Sequence, residues 1–111
     1  MSKNLRRHQR HSINEAIAVT DLMTGEIIGR IGNLSESGML LLASVALVDD
    51  ALYQLQFVLH DAQMHAHKIE LGAQVLWQDG NAQSSMGWVG LRFFAIPNEH
   101  QQTLKQWLAD S

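Results

Sequence analysis

Arg6, Arg7 and Arg10 fall within the stretch RRHQRH, which begins near the start of a chain that is otherwise acidic. Arginine keeps its charge at every physiological pH, and its planar guanidinium grips an anion through two parallel N–H bonds. The charge around these residues is uneven. Four of the eight Lys and Arg (Lys3, Arg6, Arg7 and Arg10) precede residue 12, where there is no acid, while the rest of the chain sets four basic residues against eleven acidic ones, a local net of -7. Such a body repels an extended polyanion from most of its surface and leaves one attractive spot, which favours a small anionic ligand over a long nucleic acid. The same run of charge also suits a solvated tail, and charge alone leaves both readings open.

A second polar group lies some twenty residues on, in GNLSESGMLLL. Asn33 and Ser35 both donate and accept hydrogen bonds, and Gly38 permits a turn that a side chain would obstruct. By itself this is a hairpin connection between two apolar runs.

The elements that must position these residues are mainly strands. In LYQLQFVL, Tyr53, Leu55, Phe57 and Leu59 share one face while Gln54, Gln56 and Val58 take the other, the alternation of a half-buried strand. Similar stretches run over Ala16–Leu22, Ile27–Ile31, Met39–Ala43, Ile69–Trp77 and Trp88–Phe94. Between them, Thr24 and Gly25, Asp49 and Asp50, His60 to Ala62, and Asp79 to Asn81 supply turn chemistry. Six short strands spaced in this way predict an antiparallel barrel or sandwich. After Pro97 the period becomes helical, with Leu104, Trp107 and Leu108 as the apolar stripe and Asn98 with Gln101 as a capping box, so a helix is expected over 98–110. The reading is therefore all-β with a terminal helix, with a basic arm over 1–14 and a barrel over 15–111.

The order of the two polar groups is informative. Arg-x-x-x-Arg at Arg6 and Arg10, then Asn-x-Ser-x-x-Gly at Asn33, Ser35 and Gly38, on a six-strand pattern ending in VGLRFFAI and a helix, resembles the PilZ domain family. GAQVLWQ is similar to the strand that precedes that ending. The resemblance covers nearly the whole chain and implies a six-stranded antiparallel β-barrel with a C-terminal helix. It further implies binding of the bacterial second messenger cyclic di-GMP, by a receptor rather than an enzyme. The implied contacts are Arg6 and Arg10 on phosphate and guanine edges, Asn33 and Ser35 on guanine N–H groups or on the shape of the loop, and Gly38 for the backbone. Arg7, inside the spacing but off both motif positions, either adds a contact or faces water. Many family members carry Asp where this chain has Asn33, which keeps one carbonyl acceptor but gives up the charge. The expected behaviour is that of a stand-alone adaptor whose arm orders on ligand binding and whose changed surface is read by a downstream protein. The alternative is an interaction module of the same fold that binds no nucleotide.

Other chemistries are less well supplied. His60, His65 and His67 are ligand types suited to zinc but have no firm fourth ligand, so no metal or other cofactor is expected. The serines and acids form no recognisable catalytic setting, and Trp77, Trp88 and Trp107 read as core or barrel-rim residues, leaving no exposed aromatic platform for nucleic acid. Met39, Met64 and Met86 read as packing residues. Absence of cysteine removes disulfides and thiolate sites. No apolar run is long enough to span a membrane or to form a secretion signal, so a cytoplasmic protein without membrane insertion is expected.

Overall fold

The computed structural model describes residues 15–79 and 87–110, together with the backbone of His11 and Ser12. Seven strands and one helix follow in order: β1 (His11–Ser12), β2 (Ala18–Asp21), β3 (Glu26–Leu34), β4 (Gly38–Ala43), β5 (Leu52–His60), β6 (Ala66–Asp79), β7 (Gly87–Ala95) and α1 (Asn98–Asp110). All pairings are antiparallel, in the order β3-β2-β5-β6-β7-β4, and β4 returns to pair with β3. Six strands thus close into a barrel, which leaves no open sheet edge. The two-residue β1 stands outside this ring, continuing the β2 side of β3 through His11 opposite Leu34 and Ser12 opposite Asn33.

The alternation expected for β5 is what builds the core. Leu55, Phe57 and Leu59 point inward, and Ile69, Leu71, Ala73 and Val75 of β6 meet them, with Val19, Met39, Leu41, Val89 and Leu91 from the other strands. Bulges break strict alternation elsewhere. In β3 the register shifts twice, opposite Val19 and Thr20 of β2 and between its own Ile31 and Asn33 against β4. The buried residues are therefore Ile28, Ile31 and Leu34, three apart, while Ile27 faces out. A further shift between Val75 and Trp77 turns Trp77 to the outer wall opposite Gly90. Trp77 and Trp88 are 48% and 39% exposed, so neither is a core residue, and Trp88 sits at the barrel rim opposite Asp79, the last residue of β6. Met39 is in the core, but Met64 lies exposed in the β5–β6 turn with a positive φ of 66°; Met86 is outside the described residues.

Helix α1 covers the barrel end formed by the start of β6 and the end of β5. Leu104 and Leu108 are buried against the core, with Trp107 packed beside them. Trp107 Nε1–H donates to the His60 carbonyl at 2.9 Å, and the Glu70 amide donates to His100 Nδ1 at 2.9 Å. The start of the helix differs from the capping box read from the sequence. The Gln101 amide donates to the Pro97 carbonyl at 2.8 Å, so Pro97 supplies the first acceptor and Asn98 is already in the first turn. No described helix is long and apolar enough to cross a membrane.

Candidate ligand-binding site

Ser35 organises the β3–β4 connection from inside. Its side chain is 1% exposed, and its Oγ accepts from the Ser37 amide at 3.3 Å and the Gly38 amide at 3.2 Å while donating to the Gly38 carbonyl at 3.2 Å. The Ser35 amide adds a bond to the same carbonyl at 2.9 Å, and the Phe93 amide ties the turn to β7 through the Ser37 carbonyl at 2.8 Å. The hydroxyl proton is thus spent within the turn, and Ser35 sets the shape of the loop.

Gly38 has a different reason from the one the sequence suggested. It is the first residue of β4, and a Cβ there would drive into the Leu91 carbonyl of β7. The close approach of two strands excludes a side chain, whereas a turn conformation does not enter. Asn33 lies in β3 itself, not in the connection, and is half-buried opposite Leu40.

These residues border an outer wall with a defined grain. Asn33 pairs with Leu40, Leu40 with Gly90 and Gly90 with Trp77, so one row crosses β3, β4, β7 and β6, three strand spacings or about 14 Å. The Trp77 indole lies over Gly90 and the Trp88 ring over Gly32, each filling the space that a Cβ would take. Two indoles thus lie on glycine-floored wall on the same side as Asn33. In the next row, Gly38 pairs with Arg92, whose Nη2 donates to Gln74 Oε1 at 2.9 Å. Flat aromatic surface, a carboxamide and one guanidinium are a combination that takes planar, polar-edged ligands.

Sequence reasoning missed Trp77, Trp88 and Arg92. The last two were legible, since Trp88, Gly90 and Arg92 alternate with Val89, Leu91 and Phe93; Trp77 was hidden by the bulge. Arg6, Arg7 and Arg10 are outside the described residues. The paired backbone of His11 and Ser12, which the sequence reading assigned to the arm, lies against Leu34 and Asn33.

The histidines gather elsewhere. Asp61 Oδ2 meets His67 Nε2 at 2.9 Å and His65 Nδ1 at 3.3 Å, while its Oδ1 accepts from the amides of Gln63 and His65, both at 2.9 Å. The His67 bond, then the His65 amide, and after them the Gln63 amide and the charge of His65, hold its carboxyl down to about 2 against the opposing effect of desolvation. Among the described residues no group of three or more His, Asp or Glu is arranged to hold a metal ion.

A family model of the PilZ domain matches residues 4–110, and the chain belongs to that family. Similar solved structures include the Bacillus subtilis inhibitor of motility MotI/DgrA, with a TM-score of 0.73 and 19% identity over 92% of this chain and 48% of that one. YcgR of Escherichia coli in complex with c-di-GMP gives 0.68 and 19% over 94% and 44%, and the K. pneumonia MrkH–c-di-GMP complex gives 0.66 and 19% over 95% and 51%. The chain spans about half the length of these structures. At such identity the likeness is one of fold, which agrees with the six-stranded barrel and terminal helix read from the sequence. No curated protein sequence matches. MrkH is described as a c-di-GMP-dependent transcription regulatory factor, so the expectation that nucleic acid plays no part does not follow from the fold.

Proposed function

We propose that this protein is a cyclic di-GMP receptor whose ligand lies on the outer wall between the β3–β4 turn and Trp77. The observation that carries this reading is the pairing of His11 with Leu34 and Ser12 with Asn33. His11 directly follows Arg10 in sequence, and this pairing sets His11 and Ser12 beside the start of the Asn33–Gly38 motif, although the two motifs are more than twenty residues apart in sequence. The ligand has two phosphates and two guanines. Arg6 and Arg10 clamp phosphate and guanine O6 and N7 edges, Asn33 meets a guanine Watson–Crick edge, Ser35 and Gly38 keep the turn in shape, and an indole on the wall stacks a base. Arg7 is close enough in sequence to add a phosphate contact.

Neutralising the ligand's charge draws the arginine segment against the barrel, and the resulting surface is what a downstream protein reads. Isothermal titration with cyclic di-GMP tests the proposal. Heat and a higher Tm are expected for the native chain, with both lost in Arg6→Ala and Arg10→Ala while the unliganded Tm stays where it was. No heat and no stabilisation of the native chain would leave an interaction module of the same fold.

A further inference from the structure

The barrel end opposite α1 carries an exposed apolar surface that the nucleotide site does not use. Leu22 (41% exposed), Met23 (77%), Ile27 (58%), Val48 (64%) and Leu52 (61%) all belong to it. Single exposed aliphatic residues are ordinary; five at one end of a small barrel make a patch. They are neighbours by register. The Leu22 amide donates to the Gln54 carbonyl at 2.8 Å, two residues from Leu52, and Ile27 pairs with Thr20, two residues from Leu22.

The surface is held in place before any partner arrives. The Val48 amide donates to the Tyr53 hydroxyl at 3.0 Å, Gln78 Nε2 donates to the Leu47 carbonyl at 2.9 Å and to Asp49 Oδ1 at 2.7 Å, and the Asp50 amide donates to the Val75 carbonyl at 3.0 Å. Ordering cost on docking is correspondingly small.

Charge at this end is mainly of one sign. Glu26, Asp49, Asp50 and Asp79 are exposed around the apolar residues. The described cations are Arg30, Lys68, Arg92 and Lys105; Arg30, paired with Ala18 and Leu42, follows Ile27 on the outer face of β3 and is the one described cation near these residues, while the other three belong to the half nearer α1. A second copy of the chain would bring the same carboxylates against these, and an anionic bilayer would be repelled as well. His11, which follows the chain's own basic segment in sequence, pairs with Leu34 at the opposite end.

We propose that this end of the barrel docks a protein partner presenting aliphatic side chains flanked by Lys or Arg. The proposal is independent of nucleotide binding and is tested on the unliganded, isotope-labelled protein by amide chemical shifts. The probes are a short amphipathic peptide of Leu and Lys, its Leu and Glu counterpart, and a Ser and Lys peptide with no apolar face. Shifts at Leu22, Met23, Ile27, Val48 and Leu52 are expected with the first peptide alone. Affinity should fall roughly tenfold or more both in Glu26→Gln/Asp49→Asn/Asp50→Asn and in Met23→Ser/Leu52→Thr, with native-like spectra in each. Asn retains the Oδ1 acceptor for Gln78 and tolerates the left-handed backbone of Asp50, so the charge variant keeps the fold. Equal binding of the Glu peptide, shifts centred instead on Asp61 and Asp110, or no shifts at all would overturn it.

Discussion

At the scale of single residues, Gly38 and Trp77 decide what the wall can do. Gly38 has no room for a methyl group because the Leu91 carbonyl occupies the space, and backbone cannot step aside as a flexible side chain can. Gly38→Ala should therefore destabilise the fold by about 1–3 kcal/mol in urea unfolding, and by displacing the turn it should weaken nucleotide binding as well. Trp77 is the complementary case, being half-exposed over Gly90 and outside the core. Trp77→Leu should leave the unfolding midpoint nearly unchanged and cost about 1–3 kcal/mol of cyclic di-GMP affinity by titration if it stacks a base. Asp61 makes a pH-dependent prediction. Its carboxyl is held at about 2 in the folded protein against an ordinary 3.8, so its contribution is complete above the ordinary value and disappears as pH falls through the folded one. The stability gap between the native chain and Asp61→Asn, present at neutral pH, should close as the pH of the unfolding series approaches that folded value.

Among the elements, α1 and the bulged strands separate packing from direction. The helix is held by apolar burial and by a polar contact, and these differ in size. Leu104 is fully buried, so Leu104→Ala should cost about 2–5 kcal/mol. Trp107→Phe keeps most of the apolar surface and loses the bond to the His60 carbonyl, for about 0.5–1.5 kcal/mol. Denaturant midpoints of the two variants, measured side by side, check that order. Bulges explain why alternation alone assigns some faces wrongly. Strict period two would place Trp77 with Val75 in the core and Ile27 with Ile31; an extra residue between Val75 and Trp77 and another between Ile27 and Gly29 reverse both.

On the scale of the whole molecule, the two ends of the barrel differ. One is closed by α1 and carries β1; the other is apolar, mainly acidic and exposed. The family's larger relatives by structure are about twice this length, whereas the surface proposed for a partner here lies on the barrel itself. If the arginine segment closes on the nucleotide, saturating cyclic di-GMP should slow amide exchange in residues 1–12 while leaving the five apolar residues of the far end unchanged. Unaltered exchange in residues 1–12 would sink the ordering mechanism and leave the docking surface standing.

Much of this was written in local pattern. The six strands, the helix after Pro97 and the inward residues of β5 follow from periodicity, because alternation and helical spacing depend only on near neighbours in the chain. The two polar motifs were visible as residue types in order. The pairing of the chain just after the first motif was not. That His11 and Ser12 lie beside Leu34 and Asn33, that Ser35 spends its hydroxyl inside the turn, that Gly38 yields to a carbonyl of β7 and that Trp77 faces outward all depend on strand register and bulges. Register is set by how distant strands pack around one closed core, a condition that no short stretch of chain contains.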